Sequence, residues 1–201
     1  WQADDFSNAQ NWYIEQIFVP GDGWNGFSSL ANADSLTWQI YADTGGVPDG
    51  DPSGGGNPPV WTLTLAPSDA QVVVTAGSGG LPSNAQVFLD NPVVLAPGSY
   101  WLIYYPTMGF ATGGQFGRQP ADTVNGYVGQ FINPGGGFGY GGSWQAWSVI
   151  GPTENDIAFR IEGTIGSMDI PWLSEAQITG TIAADDTAVI DVTFDSITLT
   201  V

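Results

Sequence analysis

Turn-forming residues interrupt this chain too often for helices of ordinary length. Glycine (29) and proline (14) together exceed a fifth of the 201 residues. They cluster as PGDG at 20–23, DTGGVPDGDPSGGGNPP at 43–59, GSGG at 77–80, APG at 96–98 and GGGFGYGG at 135–142. Such clusters end strands, because glycine supplies turn conformations and proline cannot donate to a ladder. Between them lie short stretches with a two-residue period. In 35–42 (SLTWQIYA), Leu36, Trp38 and Ile40 fall on one strand face. Residues 12–19 (WYIEQIFV) alternate in part, and 60–65, 70–75 and 85–95 read as further strands. The run 99–105 (SYWLIYY) is almost wholly apolar, as in a central strand covered on both faces. Residues 143–148 (SWQAWS) and 156–163 (DIAFRIEG) complete the set. About ten short strands with no helix between them predict an all-β fold, an antiparallel jelly-roll or β-sandwich. Trp38, Trp61 and Trp101 lie within strands and are expected in its core.

Three segments carry a family resemblance: Ala3-Asp4-Asp5-Phe6, Gly98-Ser99-Tyr100-Trp101-Leu102, and 156–163 (DIAFRIEG). Together they resemble a bacterial secreted jelly-roll module, of the kind appended to exported hydrolases and surface proteins. The tail is similar to the first half of BACON-type immunoglobulin-like repeats at Pro171-Trp172-Leu173-Ser174, at 180–184 (GTIAA) and at Val192-Thr193-Phe194-Asp195. In that family the repeat continues past the VTFD strand, whereas six residues follow Asp195 here. The expected organisation is a jelly-roll sandwich over 1–165 and an incomplete immunoglobulin-like segment over 166–201.

The tail alternates cleanly. Ile190, Val192 and Phe194 share one face of a strand, and Ile197, Leu199 and Val201 share one face of the next. The phase slips at Asp195-Ser196, so a bulge or tight connection is expected there. A complete sandwich of this type takes about 100 residues and seven strands. The tail is too short for that. These six apolar residues are therefore the expected self-assembly contacts, through which a neighbouring copy completes the sheet.

Charge removes several classes of function. Twenty carboxylates face two arginines, with no lysine or histidine, for a net charge of −18. Nucleic acid selects for basic residues, so it is not an expected partner, and neither is an anionic membrane. No run of about 18 apolar residues is present, so membrane insertion is not expected. Without cysteine, histidine or lysine, triad, thiol and Schiff-base chemistry lack their nucleophiles and bases. Zinc and copper lose their preferred ligands. Two-carboxylate glycoside hydrolysis would need a buried pair in a cleft, which sequence does not reveal. The chain is expected not to be an enzyme. Its opening at Trp1 without an initiator Met suits a mature product whose signal peptide has been removed, and the composition fits an extracellular or cell-surface bacterial product.

Calcium is the candidate small ligand, with no cofactor required. Asp4 and Asp5 meet Asp156 if the first and last strands are neighbours, and Asp49 and Asp51 offer spaced carboxylates in the long loop. Asp185-Asp186 is a third candidate. The EF-hand spacing is absent, and each group also reads as a hydrated turn. Phe138, Tyr140, Trp144 and Trp147, in or beside a glycine-rich loop, are candidate stacking contacts for polysaccharide, with burial in the core as the alternative. Arg160 is expected in an ion pair with Asp5 or Glu162, and Arg118, in a loop, is a candidate bridge to another subunit.

Two functions follow. The first is an extracellular filament subunit, polymerising head to tail with copies of itself through the C-terminal segment. The alternative is a non-catalytic carbohydrate-binding or accessory module of a secreted hydrolase.

Overall fold

The structure, a computed structural model, describes residues 1–121, 123–136, 139–151 and 155–166, together with the strands Leu173–Glu175 and Val192–Phe194. The chain divides into two units, Trp1–Ile165 and Gly166–Val201. In the second, Leu173–Glu175 pairs antiparallel with Val192–Phe194. Phe138, Asp185, Asp186, Ile190, Ile197, Leu199 and Val201 lie outside the described residues.

The first unit is an antiparallel β-sandwich. One sheet contains β1 (Gln2–Asn8), β4 (Ser35–Ala42), β5 (Trp61–Leu65), β8 (Gly98–Thr107), β11 (Gln130–Phe131) and β12 (Gln145–Ala146), in the order β12-β11-β1-β8-β4-β5. The other contains β2 (Trp12–Val19), β6 (Val72–Ala76), β7 (Pro82–Leu95) and β14 (Arg160–Ile165), in the order β14-β2-β7-β6. Pairing is nested, β1 with β8 in one sheet and β2 with β7 in the other, as when a double strand is rolled up. Between the sheets, Leu36, Trp38, Ile40, Leu102 and Tyr104 meet Ile17, Val19, Ala85, Val87 and Leu95. The alternation of β4 puts its three apolar side chains there, as the period requires.

Strand β8 is buried on both faces. Leu102 and Tyr104 point into the sandwich, while Trp101 and Ile103 join Ala3 and Tyr41 in a second cluster on the outer face. The long loop 43–59 is tied to that cluster by two indoles. Trp101 Nε1 donates to Asp43 Oδ1 (2.8 Å), and Trp144 Nε1 donates to the Gly50 carbonyl (3.0 Å). Trp61 is half-buried at the margin of the main core.

Three segments depart from the sequence reading. The cluster PGDG contributes to a strand, β3 (Gly21–Trp24), which pairs with β9 (Gln115–Arg118). Its glycines make room for rings: a Cβ on Gly21 would lie 2.4 Å from Phe116, and one on Gly23 would lie 2.0 Å from Phe27. The expected strand at 143–148 shrinks to β12, followed by a 3-10 turn at Trp147–Val149. The segment 156–163 is broken in two. Its first part, β13 (Asp156–Ile157), pairs with β10 (Pro120–Ala121), and the rest becomes β14 against β2.

Beta14 carries a register shift at Glu162/Gly163, and Gly163 permits the close approach there. A Cβ on Gly163 would lie 2.0 Å from the Tyr13 carbonyl oxygen. Gly163→Ala must push β14 off β2 and is expected to cost about 1–3 kcal/mol, read as a lower urea midpoint.

Candidate functional site

Burial of charge marks one candidate region. Strand β9 pairs with β3 and carries Arg118 inside, where it is 3 % exposed. This corrects the expectation of a loop residue bridging to another subunit. Its guanidinium donates to the carbonyls of Leu102 (2.8 Å), Gln2 (3.3 Å) and Ala158 (3.5 Å), and it lies over the Phe159 ring. Nε has no partner. Arg160 takes the expected role with Glu162 (2.6 Å), not with Asp5, and covers the Phe18 ring. Both members of that pair are exposed, so it contributes little.

Asp4, Asp5 and Asp156 are brought together around one cavity of about 590 Å³. Successive strand residues face opposite ways, so Asp4 and Asp5 diverge. Asp4 lies beside Asp156 in the field of Arg118. Burial, then a hydrogen bond with Asp156, raises the Asp4 pKa far above the carboxylate range, against the pull of Arg118. The two carboxyls meet with Asp4 still holding its proton at neutral pH. They sit within hydrogen-bond reach, closer than the ~5 Å or more that would place a glycosidic bond between them. Asp5 Oδ1 accepts from Tyr127 N (2.9 Å), and Asp156 Oδ2 from Asn125 N (2.9 Å). Burial, with repulsion from Asp156 and Asp43, lifts Asp5 to about 6.

The loop carboxylates bond within their own loop, apart from Asp49 Oδ1, which is buried without a hydrogen-bond partner among the described residues. Asp49 Oδ2 accepts from Asn57 (3.2 Å), and Asp51 Oδ1 accepts from the Ser53 amide (2.7 Å) and hydroxyl. Among the described residues no three acidic side chains gather closely enough to hold a metal ion.

The second candidate region is an aromatic cleft, also of about 590 Å³. Trp1, Trp24, Tyr105, Phe131, Tyr140 and Trp147 line it, with the amides Gln2, Gln115 and Asn133. Trp24 is 49 % exposed. Phe131 meets Tyr140 edge-on at 5.8 Å and Trp147 at 6.0 Å. Asn25 bonds the Gln115 amide, and Gln2 Oε1 accepts from Arg118 N (2.8 Å), so two of the amides are held in place. The Tyr104 hydroxyl, on another lining residue, and the Trp147 indole N–H lack partners. No lining side chain is acidic or basic, and the Trp1 α-amino group donates to the Ile132 carbonyl (2.7 Å).

Of the sequence candidates for stacking, Tyr140 and Trp147 line this cleft. Trp144 does not; it packs on the cluster around Trp101. Trp24, Tyr105, Phe131 and the amides come from separate segments. Nothing in their local sequence shows that they converge, although Trp24 closes a glycine-rich stretch. Of the self-assembly candidates, Val192 and Phe194 fall in the described strand that pairs with Leu173–Glu175 of the same chain.

Comparison with known protein families, with curated proteins and with solved structures gives no match for this chain.

Proposed function

We propose that the chain is a non-catalytic glycan-binding module that takes a neutral polysaccharide into the aromatic cleft. The observation that supports this reading is the cleft's composition. In a chain with twenty carboxylates, eight aromatic side chains and three amides line one opening with no acidic or basic side chain among them. Rings stack on the apolar faces of pyranoses, and amides donate to and accept from their hydroxyls. A cleft of this size and lining lies within the usual range for small-molecule sites. The preformed strands and rings limit the ordering cost of binding.

The test is affinity electrophoresis or calorimetry against a panel of neutral polysaccharides. Trp24→Ala removes an exposed ring without disturbing the core and is expected to weaken binding about tenfold or more. Trp144→Ala is the wrong variant for this purpose, because loss of binding there would report on loosening of loop 43–59. Failure of every neutral glycan to bind the intact chain sinks the reading.

A further inference from the structure

The bonds that the fold makes to the cleft's amides decide what kind of sugar those amides suit. Granted the glycan reading, on which this rests, we infer that the sugar carries acetamido groups, as a neutral N-acetylhexosamine chain does.

Stacking alone does not choose between sugars. Trp24 lies with its indole over Gly117, where a Cβ would be 2.8 Å from Cη2 and 3.1 Å from Cζ3. The ring is thereby laid against the backbone of β9, yet Trp24 is 49 % exposed. An indole held in this way offers its open face to any pyranose with equatorial hydroxyls. Discrimination must then come from the polar groups around it.

The two amides beside Trp24 act as donors. Gln115 is its register partner across the β3–β9 pair, and the Gln2 amide flanks the same glycine, with Oε1 3.9 Å from the Cβ position of Gly117. Gln2 Oε1 accepts from the Arg118 backbone amide (2.8 Å), which fixes the orientation of the side chain, because a backbone N–H requires an oxygen. Gln115 Oε1 accepts from Asn25 Nδ2. Among the described residues neither glutamine NH2 group has a protein partner.

An NH2 group asks its ligand for an acceptor. A sugar hydroxyl can accept, but it brings a proton that needs an acceptor in turn, and a buried proton left unpaired is costly. An acetamido carbonyl accepts and brings no proton. The cleft also holds an acceptor for the acetamido N–H, since the Tyr140 hydroxyl spends its proton on the Val149 carbonyl (3.3 Å) and keeps its oxygen lone pairs. Pro106, Met108 and Ile150, which share the lining, suit the methyl group. A sugar carboxylate would be an acceptor too, but a chain of net charge −18 repels it.

The whole chain is titrated by calorimetry with fully N-acetylated chitopentaose and with cellopentaose. The two share linkage and equatorial faces and differ in the acetamido group that replaces one hydroxyl of each ring. Chitopentaose is expected to bind about tenfold tighter or more, a difference of about 1.4 kcal/mol. Gln2→Glu keeps an oxygen for the Arg118 amide and exchanges the NH2 donor for an acceptor. It is expected to erase most of the preference while leaving cellopentaose affinity within about threefold of the parent. If that variant fails to fold, Gln115→Glu, which still accepts from Asn25, decides by the same criterion. Equal or tighter binding of cellopentaose, or an unchanged preference in the first of these variants that folds, overturns the acetamido assignment and leaves the glycan reading standing. Silence of both pentasaccharides while another neutral glycan binds has the same consequence. Silence of every neutral glycan overturns both.

Discussion

Arg118→Met is expected to lower folding stability by about 3–5 kcal/mol at pH 7, the range for removing one side of a buried charge cluster. Three carbonyls, those of Gln2, Leu102 and Ala158, lose their donor at once. Asp4 and Asp156 also lose the cation whose field offsets their burial. Methionine fills much of the same volume, so the loss reports on polarity more than on a cavity. Arg118→Lys restores the charge but not the planar fork that reaches several acceptors, and should recover part of the stability. The measurement is the urea midpoint at constant m-value. A midpoint for Arg118→Met equal to that of the parent chain would mean that Arg118 is not an interior residue at all.

The same residue shows where sequence reasoning stops. Beta4 was legible because Leu36, Trp38 and Ile40 alternate, and β8 because an apolar run must be covered on both faces. These are local periodicities, and a local pattern suffices to read them. The β3–β9 pair was not legible. Gly21 and Gly23 read as turn formers, and their reason for being glycine lies in Phe116 and Phe27, far away in sequence or pointing back from a loop. Once that pair is missed, Arg118 looks like a loop residue, and its burial has no visible cause.

Sites follow the same division. The approach of Asp4 to Asp156 was anticipated on the condition that the first and last strands are neighbours, yet β1 pairs with β8 and β11 while Asp156 lies on β13, paired with β10, so the carboxyls meet without that pairing. Tyr140 and Trp147 stood out beside a glycine-rich loop. Trp144 has the same sequence surroundings, yet its indole anchors Gly50. The cleft is assembled from side chains on β1, β3, β8, β9, β11 and the loops beyond, so only the tertiary fold defines it.

The second large effect is on the pH dependence of stability, and its sign is set by Asp4. In the unfolded chain this carboxyl titrates near its ordinary value of 3.8, while in the folded chain burial and the bond to Asp156 raise it. Between those two values the folded state holds a proton that the unfolded state has released. Stability is therefore fully present below pH 3.8 and is lost as pH rises toward the folded value, at up to ~1.4 kcal/mol per pH unit for one proton. Asp5 acts in the same direction between 3.8 and about 6. The lowered pKa of Arg118 has the opposite sign but operates well above neutrality. The buried Trp1 α-amino group, lowered from 8.0 to about 6, also has the opposite sign and offsets Asp4 between those values. The urea midpoint of the parent chain is thus expected to fall between pH 4 and pH 6 and then level off up to pH 8. Repulsion among the twenty carboxylates would tilt the curve the same way at acid pH, so the parent profile alone does not identify Asp4. The difference between two profiles does. Asp4→Asn keeps a neutral donor against Asp156 at every pH and leaves nearly all the surface charge in place. It should flatten the decline and exceed the parent by about 1–3 kcal/mol at pH 8.5, with little difference at pH 4. Parallel curves for the two proteins would show that Asp4 is ionised in the folded state.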